Sequence, residues 1–393
     1  MASRRHRFAV HRRALGYSQE RLAEAIGVER TTVARWERGE TDPQPWARPK
    51  IAEVLQISVE ELDTILAHDR GGSRDATMVP GVLSIASVGR QHVAPELVCY
   101  FGAQLAGHYT ADRYLGALHL LPVARAQHQV VEQLATVASG ELRREFWMLA
   151  TAYSALVGWL YQDAGDLKRS MHWHDVMLEL AHRSGDVQHI GFALANKAML
   201  RVDMGDGRGA VDLASAALAG QGRLCPKVRV LALQQAAHGL SLMGDRDGCD
   251  RLIDQAQLFL AKVDDAYPWG NACRALGYLD VQRATCHGRL GDPQSALEIW
   301  VEVLRDAGAS SRRDLGVFRA RQATALARSG ESEEAVKIAA EVVPLVAETG
   351  SARMLRELIN LRNVMIAERH ELAGRNLEEM LSGAGLDSRR QWR

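Results

Sequence analysis

The segment Ala198-Met199-Leu200-Arg201-Val202-Asp203-Met204-Gly205-Asp206-Gly207-Arg208-Gly209-Ala210-Val211-Asp212-Leu213 decides how most of this chain folds. A glycine followed by an acid stands between two runs of helical spacing. The same pair recurs at Gly165-Asp166, Gly244-Asp245, Gly291-Asp292 and Gly330-Glu331, with intervals of 40, 39, 47 and 39 residues along the chain. Seven residues before each glycine stands Gly158, Ala198, Ala237, Ala284 or Ala323; five after it stands Ser170, Ala210, Cys249, Ala296 or Ala335. Each of these is small. Eight after it the residue is large and apolar (Trp173, Leu213, Leu252, Ile299, Ile338), and twelve after come Met177, Ala217, Ala256, Val303 and Val342, which together read as a core seam. A glycine ends one helix in the left-handed conformation, an acid caps the next, and small residues let the two cross closely. A recurrence of this kind predicts stacked helix pairs.

Composition agrees with an all-α fold. Only 10 of 393 residues are Pro, and half of them precede residue 96, so the remainder is nearly free of helix breakers. Lys plus Arg and Asp plus Glu each number 48, giving zero net charge. The charge is unevenly distributed: residues 1–38 carry nine Arg against four Glu, a net of +5, leaving −5 for the rest. A basic head on an acidic body points to polyanion contact at one end. The five Cys (99, 225, 249, 273, 286) form no CxxC pair and are odd in number, as expected of reduced thiols in a cytoplasmic protein. No apolar h-region follows the N-terminus and no stretch is apolar enough to span a membrane, so no membrane partner is expected.

In the head, Phe8, Leu15, Leu22, Ala23, Ile26, Val33, Trp36, Ile51, Leu55, Leu62 and Ile65 recur at helical spacing, interrupted by Gly16, Gly27, Gly39 and the Pro43–Pro49 stretch. Five short helices fit. Ser18 is an N-cap, and Ser58 with Glu61 forms a capping box. Gly27 separates Gln19–Ile26 from Arg30–Glu37 too tightly for an antiparallel pair, which predicts a helix-turn-helix. The run Ser18-Gln19-Glu20-Arg21-Leu22-Ala23, then Ala25-Ile26-Gly27-Val28, then Thr32-Val33-Ala34-Arg35-Trp36-Glu37-Arg38-Gly39 resembles the Xre (Cro-like) helix-turn-helix family. That resemblance implies that the second helix enters the major groove, with Arg30, Thr31 and Arg35 reading bases and Gln19 and Arg38 touching phosphates of double-stranded DNA. Arg is suited to guanine O6 and N7, and Thr to a thymine methyl. His11 departs from the family, which usually has Leu there. Arg4, Arg5, Arg7, Arg12 and Arg13 either meet the sugar-phosphate backbone or aid solubility.

Residues 69–95 lack helical period and carry Gly, Ser and Pro, which places a linker between a head at 1–68 and a body at 96–393, with Val82–Val88 apolar enough to dock on the body. Helices are predicted at about 96–108 and 112–139, with Pro122 a kink. The repeat offsets resemble the tetratricopeptide (TPR) repeat over about residues 145–350, with periods longer than usual and no C-terminal Pro. The resemblance implies an α-solenoid whose concave side, lined by the first helix of each pair, binds peptides. Nine before each glycine stand Leu156, Asn196, Gln235, Gln282 and Arg321; six before stand Trp159, Met199, His238, Thr285 and Thr324; two before stand Asp163, Asp203, Leu242, Arg289 and Arg328. Two of these columns pass from acidic or neutral to basic. A peptide held by Asn196, Gln235 and Gln282, with its carboxylate toward Arg289, Arg321 and Arg328 and its other end near Asp163 and Asp203, fits them; so do ordinary solvated positions.

No GxxxxGK[ST] loop, HExxH or catalytic constellation occurs, and His172-Trp173-His174 puts its two imidazoles on different sides of a helix, so no enzyme activity, metal or cofactor is expected. The combination resembles peptide-pheromone (quorum) sensing regulators of Gram-positive bacteria, and its Ala/Arg/Gly-rich, Lys-poor style looks actinobacterial. It implies a homodimer on a palindromic operator, with a signalling peptide or other small molecule as effector. The competing expectation is a TPR scaffold for a protein partner, tethered to DNA by the head.

Overall fold

The computed structural model describes residues 8–9, 12–13, 17–38, 40–55, 57, 59, 62, 66, 93–219, 224–264, 266–267, 269–305 and 311–386. Among the described residues all regular structure is helical. The chain divides into two compact units, residues 1–81 and 82–393.

The first unit contains α1 (Gln19–Ile26), α2 (Arg30–Glu37) and α3 (Ala47–Val54). Ser18 Oγ accepts the Arg21 N–H at 3.1 Å and starts α1. Gly27, at φ 81°, ends it, a conformation that costs a residue with a Cβ but not glycine. Phe8, Leu22, Ile26, Val33, Trp36, Ile51, Leu55 and Leu62 form the core. Phe8, Ala9, Arg12, Arg13, Val59, Leu62 and Leu66 are also helical. His11, Leu15, Ile65 and the Ser58–Glu61 capping box lie outside the described residues, as do residues 69–92 of the expected linker.

The second unit contains α4 (Glu96–Ala111), α5 (Ala117–Val137), α6 (Gly140–Asp163), α7 (Leu167–Ser184), α8 (Val187–Asp203), α9 (Gly207–Leu218), α10 (Pro226–Leu242), α11 (Arg246–Leu260), α12 (Tyr278–Arg289), α13 (Pro293–Arg305), α14 (Arg312–Arg328), α15 (Ser332–Thr349), α16 (Ala352–Ala367) and α17 (Glu371–Gly383). The predicted pairs α6/α7 to α14/α15 are present, and α16/α17 adds another. All five turn glycines have φ from 76° to 88°. Asp166, Asp206, Asp245 and Asp292 each accept the backbone N–H three residues on, whereas Glu331 makes no such bond. The break between α4 and α5 falls at residues 112–116, and α5 runs through Pro122, which lies near its N-terminus.

The seam needs one correction. The small residues five after each glycine are fully buried, but the large residues eight after are only half-buried. The column nine after, His174, Ala214, Ile253, Trp300 and Ala339, lies inside. Offsets of five, nine and twelve form one helical stripe. The 47-residue interval has a cause: after α11 the chain detours through a segment in which Trp269 is fully buried and stacks on Phe192 with ring centroids 4.0 Å apart. Buried Lys227 fastens this detour, donating to the Tyr267 carbonyl and to Asn271 Oδ1, each at 2.8 Å.

The end of the stack returns to its beginning. Arg313 of α14, buried, donates to Asp163 Oδ2 of α6 at 2.5 Å, 150 residues away, and to Asp112 Oδ1 at 2.6 Å after α4. Ser351 Oγ donates to Asp163 Oδ1 at 3.1 Å, and Arg356 Nη2 donates to Asp203 Oδ2 at 3.0 Å. Gly116 approaches the Thr349 carbonyl so closely that a Cβ would lie 2.8 Å from it. Burial pushes the Asp203 carboxyl up, but Arg356, Gln162 and Arg289 outweigh it and hold it below the ordinary carboxylate range. Replacing Arg313 by Met leaves Asp112 without its cation and Asp163 with only Arg353, 3.5 Å away. It is expected to destabilise the body by about 3–5 kcal/mol in urea unfolding, and a loss below about 0.5 kcal/mol would show that the cluster does not hold the ends together.

Candidate nucleic-acid interface and inner cavity

Helix α2 buries Val33 and Trp36 against the head's core and turns Arg30, Thr31 and Arg35 outward. Arg38, just beyond its end, is exposed as well. The predicted base readers therefore stand exposed, Thr31 and Arg35 four residues apart on one helical stripe and Arg30 beside them at the N-terminus of the helix. Arg30 pairs with Glu20 at 2.6 Å, Thr31 Oγ1 donates to Glu29 at 3.1 Å, and Arg38 grips Glu40 at 2.6 and 3.1 Å. These exposed pairs are weak, so phosphate or base edges can replace them. Arg35 has no carboxylate within 4.0 Å among the described residues.

One buried group fixes the angle between α1 and α2. Glu37, at the end of α2, accepts from Arg12 Nε at 2.7 Å and from Gln19 Nε2 at 2.5 Å. Arg12 also donates to the Tyr17 carbonyl. Arg12 is buried, so the expectation that it meets DNA or serves solubility is replaced by a structural role. Gln19, the predicted phosphate contact, is half-buried and tied to α2. Glu37 was missed because a lone Glu on a basic helix looks like a solvated residue, and its partners stand 25 and 18 positions away.

In the body, the closure of the stack encloses a cavity of about 410 Å³ on its inner face. Arg289, Arg321 and Arg328 all line it, as do Arg353 and Arg356 of α16. The latter two lie outside the predicted repeats. Their turn is Gly350-Ser351, which lacks the acid of the repeat signature, although the Ser351 cap and the period Met354, Leu358, Leu361, Met365 mark a helix there. Asn196, Gln235 and Gln282 do not line the cavity. Asn196 is half-buried and donates to the Phe192 carbonyl at 2.8 Å, and Gln235 is buried. Gln282 Oε1 accepts from His238 Nε2 at 2.9 Å, which leaves His238 Nδ1 to accept Arg289 Nη1 at 2.8 Å. Gln282 thus reaches the cavity through His238 and Arg289.

The acid-to-base gradient is corrected by the same closure. Asp163 is buried in the Arg313 cluster, and Asp203 lies in the cavity beside the arginines rather than at a distant end of a groove. Of the two imidazoles in His172-Trp173-His174, the first is exposed and the second fully buried, where desolvation pushes its pKa down to about 4. Among the described residues there is no cluster of three groups able to hold a metal, and no helix is long and apolar enough to cross a membrane. All five cysteines are free thiols.

Comparison with known proteins bears chiefly on the head. The helix-turn-helix family model matches residues 11–62. The chain is 36% identical over 58 residues to the cryptic phage CTXphi transcriptional repressor RstR of Vibrio cholerae serotype O1, covering 15% of this chain and 52% of the repressor. It thus spans about half the length of that relative. Over 64 residues it is 36% identical to an HTH-type transcriptional regulator of Methanothermobacter thermautotrophicus, covering 16% of this chain and 90% of that protein. A solved structure of Bacillus thuringiensis PlcR, in complex with the peptide PapR7 and DNA, aligns over 80% of this chain and 99% of its own at 16% identity and a TM-score of 0.36. With a helix-turn-helix formed by α1 and α2 and a regulator matched over nine-tenths of its length, the chain belongs to the HTH-type transcriptional regulators, its head being a DNA-binding domain of the Xre type.

Proposed function

We propose that this protein is a cytoplasmic, sequence-specific regulator that binds a palindromic operator as a homodimer. In this reading a head of about residues 1–68 supplies base contacts, and a TPR-like body of residues 96–393 supplies dimerisation and a sensing site for a signalling peptide or other small molecule. Arg30, Thr31 and Arg35 read bases, while Gln19 and Arg38 hold phosphates. The observation that carries the DNA reading is the outward face of α2, held by the buried Glu37 clamp beneath it. Arg35 contributes most to specificity because its guanidinium gives up no internal carboxylate on binding.

Support for a body-mediated dimer comes from apolar side chains around the α4–α5 junction. Tyr114 is 79% and Leu118 67% exposed, with Tyr100 and Leu115 also outside. A small head binds DNA weakly, and two heads joined through their bodies gain effective concentration on a two-fold operator. Support for sensing is the inner cavity, where Arg289, Arg321 and Arg328 converge and Gln282 positions Arg289. Asn196 and Gln235 act as supporting groups of the inner helices that build it.

Arg35→Ala is expected to cost about 1–3 kcal/mol at the operator and to relax preference at one base pair. Unchanged specificity in a binding selection would remove Arg35 from the base readers. Full-length protein carrying Tyr114→Glu and Leu118→Glu is expected to run as a monomer in light scattering, with operator affinity reduced; a variant that remains dimeric would place the interface elsewhere.

A further inference from the structure

The lining of the inner cavity is unbalanced in charge. Of its five guanidiniums, Arg321 pairs with Glu357 at 2.7 Å, Arg356 with Asp203 at 3.0 Å and Arg353 with Asp314 at 2.6 Å. Arg289 and Arg328 have no carboxylate within 4.0 Å among the described residues. Arg289 donates instead to His238 Nδ1, and Arg328 to the Gly288 carbonyl. His238 accepts from Arg289 through Nδ1 and donates to Gln282 through Nε2. Two cations therefore face a half-enclosed space with no carboxylate in contact, Asp203 and Glu357 of the same lining being engaged by Arg356 and Arg321. Burial, followed by the neighbouring Arg321, pushes Arg289 below its usual pKa, outweighing the more distant pull of Cys286, Glu357 and Asp203.

We propose that this cavity is an anion site, with Arg289 and Arg328 as its recognising groups, for a small ligand that carries a compact dianion such as a phosphate monoester or a pair of carboxylates. The assignment deepens the sensing reading above and rests on it for any effect on DNA. The charge count favours a dianion over a lone carboxylate, because a peptide C-terminus would leave one of the two guanidiniums without an anionic contact. The donors agree: Thr285 and Thr324 spend their hydroxyl protons on the Val281 and Ala320 carbonyls, so guanidinium N–H groups, with the amide of Asn360, remain to meet the ligand. Arginine forks suit planar carboxylates and phosphate oxygens alike. The volume, about 410 Å³, falls in the range of small-molecule sites, roughly 300–1,000 Å³.

The test uses the full-length protein, with calorimetry and thermal melting in inorganic phosphate, a nucleoside 5′-monophosphate, succinate, and tetra-alanine with free or amidated C-terminus. At least one dianion is expected to bind more tightly than free tetra-alanine, to raise the melting temperature and to weaken as salt increases. Phosphate esters and dicarboxylates are distinguished by which of them does so. Arg289→Gln and Arg328→Gln are each expected to weaken that binding about tenfold or more. The free double variant should melt no lower than wild type, since it loses like charges. Arg246→Gln, which removes an Asp292 partner outside the cavity, should bind as wild type. The anion site is overturned if no dianion binds, if tetra-alanine binds as tightly, or if the double variant keeps its affinity. If a dianion binds through these arginines and operator affinity does not respond, the site stands and the sensing reading falls.

Discussion

Arg313, placed between Asp112 and Asp163, turns a stack of helix pairs into a closed body. A repeat array in which each pair meets only its neighbours has no inherent end-to-end contact. Here the guanidinium demands two carboxylates at fixed positions, one on the turn after α4 and one at the end of α6. An apolar contact would tolerate sliding, whereas a charge-assisted pair with defined geometry fixes how far the stack has turned when its ends meet. Bringing one cation and two carboxylates out of water is costly: burial pushes the Asp112 carboxyl up despite Arg313, and Arg353, 3.5 Å from Asp163, supplies a second cation. The inner cavity, the Arg356–Asp203 pair and the close approach at Gly116 all follow from that closure.

Much of the fold was legible because a helix pair is a local object. The turn glycines, four of the five acid caps and the small crossing residues act within a few positions of one another, so sequence spacing reports them directly. The seam was misplaced by one residue for a physical reason. Hydrophobicity singled out Trp173, Leu213, Leu252, Ile299 and Ile338, yet on an α-helix it is offset nine, four residues on from the small residue at five, that shares the inner stripe, and offset eight falls to its edge. His174 shows the limit of the pattern. It occupies a core position as a neutral imidazole, and Gly158 makes room for it: a Cβ there would come within 2.9 Å of its ring.

The candidate site residues divide in the same way. That Arg30, Thr31 and Arg35 face outward was legible because an exposed helical face is a local property. Glu37, Arg12 and Gln19 could not, since a buried carboxylate bridging positions 25 and 18 residues apart has the same local sequence as a solvated one. Asp163 and Asp203 are the sharpest case. They hold the same place in consecutive repeats, yet one is sealed in an ion cluster and the other faces the cavity, because Arg313 and Arg356 arrive from helices at least 150 residues later. Sequence columns predicted that Arg289, Arg321 and Arg328 would lie along one face; only closure makes that face a half-enclosed space with α16 as its far wall.

Closure and charge act against each other on that inner face. The pairs that join α14 to α6 and α16 to α8 draw the ends together, and the same movement gathers five guanidiniums around one cavity, two of them with no carboxylate in contact. An anion that bridged Arg289 on α12 and Arg328 on α14 would relieve repulsion between cations of neighbouring inner helices, and it would bias the body only so far as its binding energy differed between arrangements of those helices. That difference, not the total affinity, sets how far such a ligand moves the equilibrium. By reciprocity, any event that favours the closed arrangement tightens anion binding by the same factor. Under the proposed anion reading, the two cations without carboxylate partners are what a ligand would act on: neutralising them within the chain would leave it nothing to change.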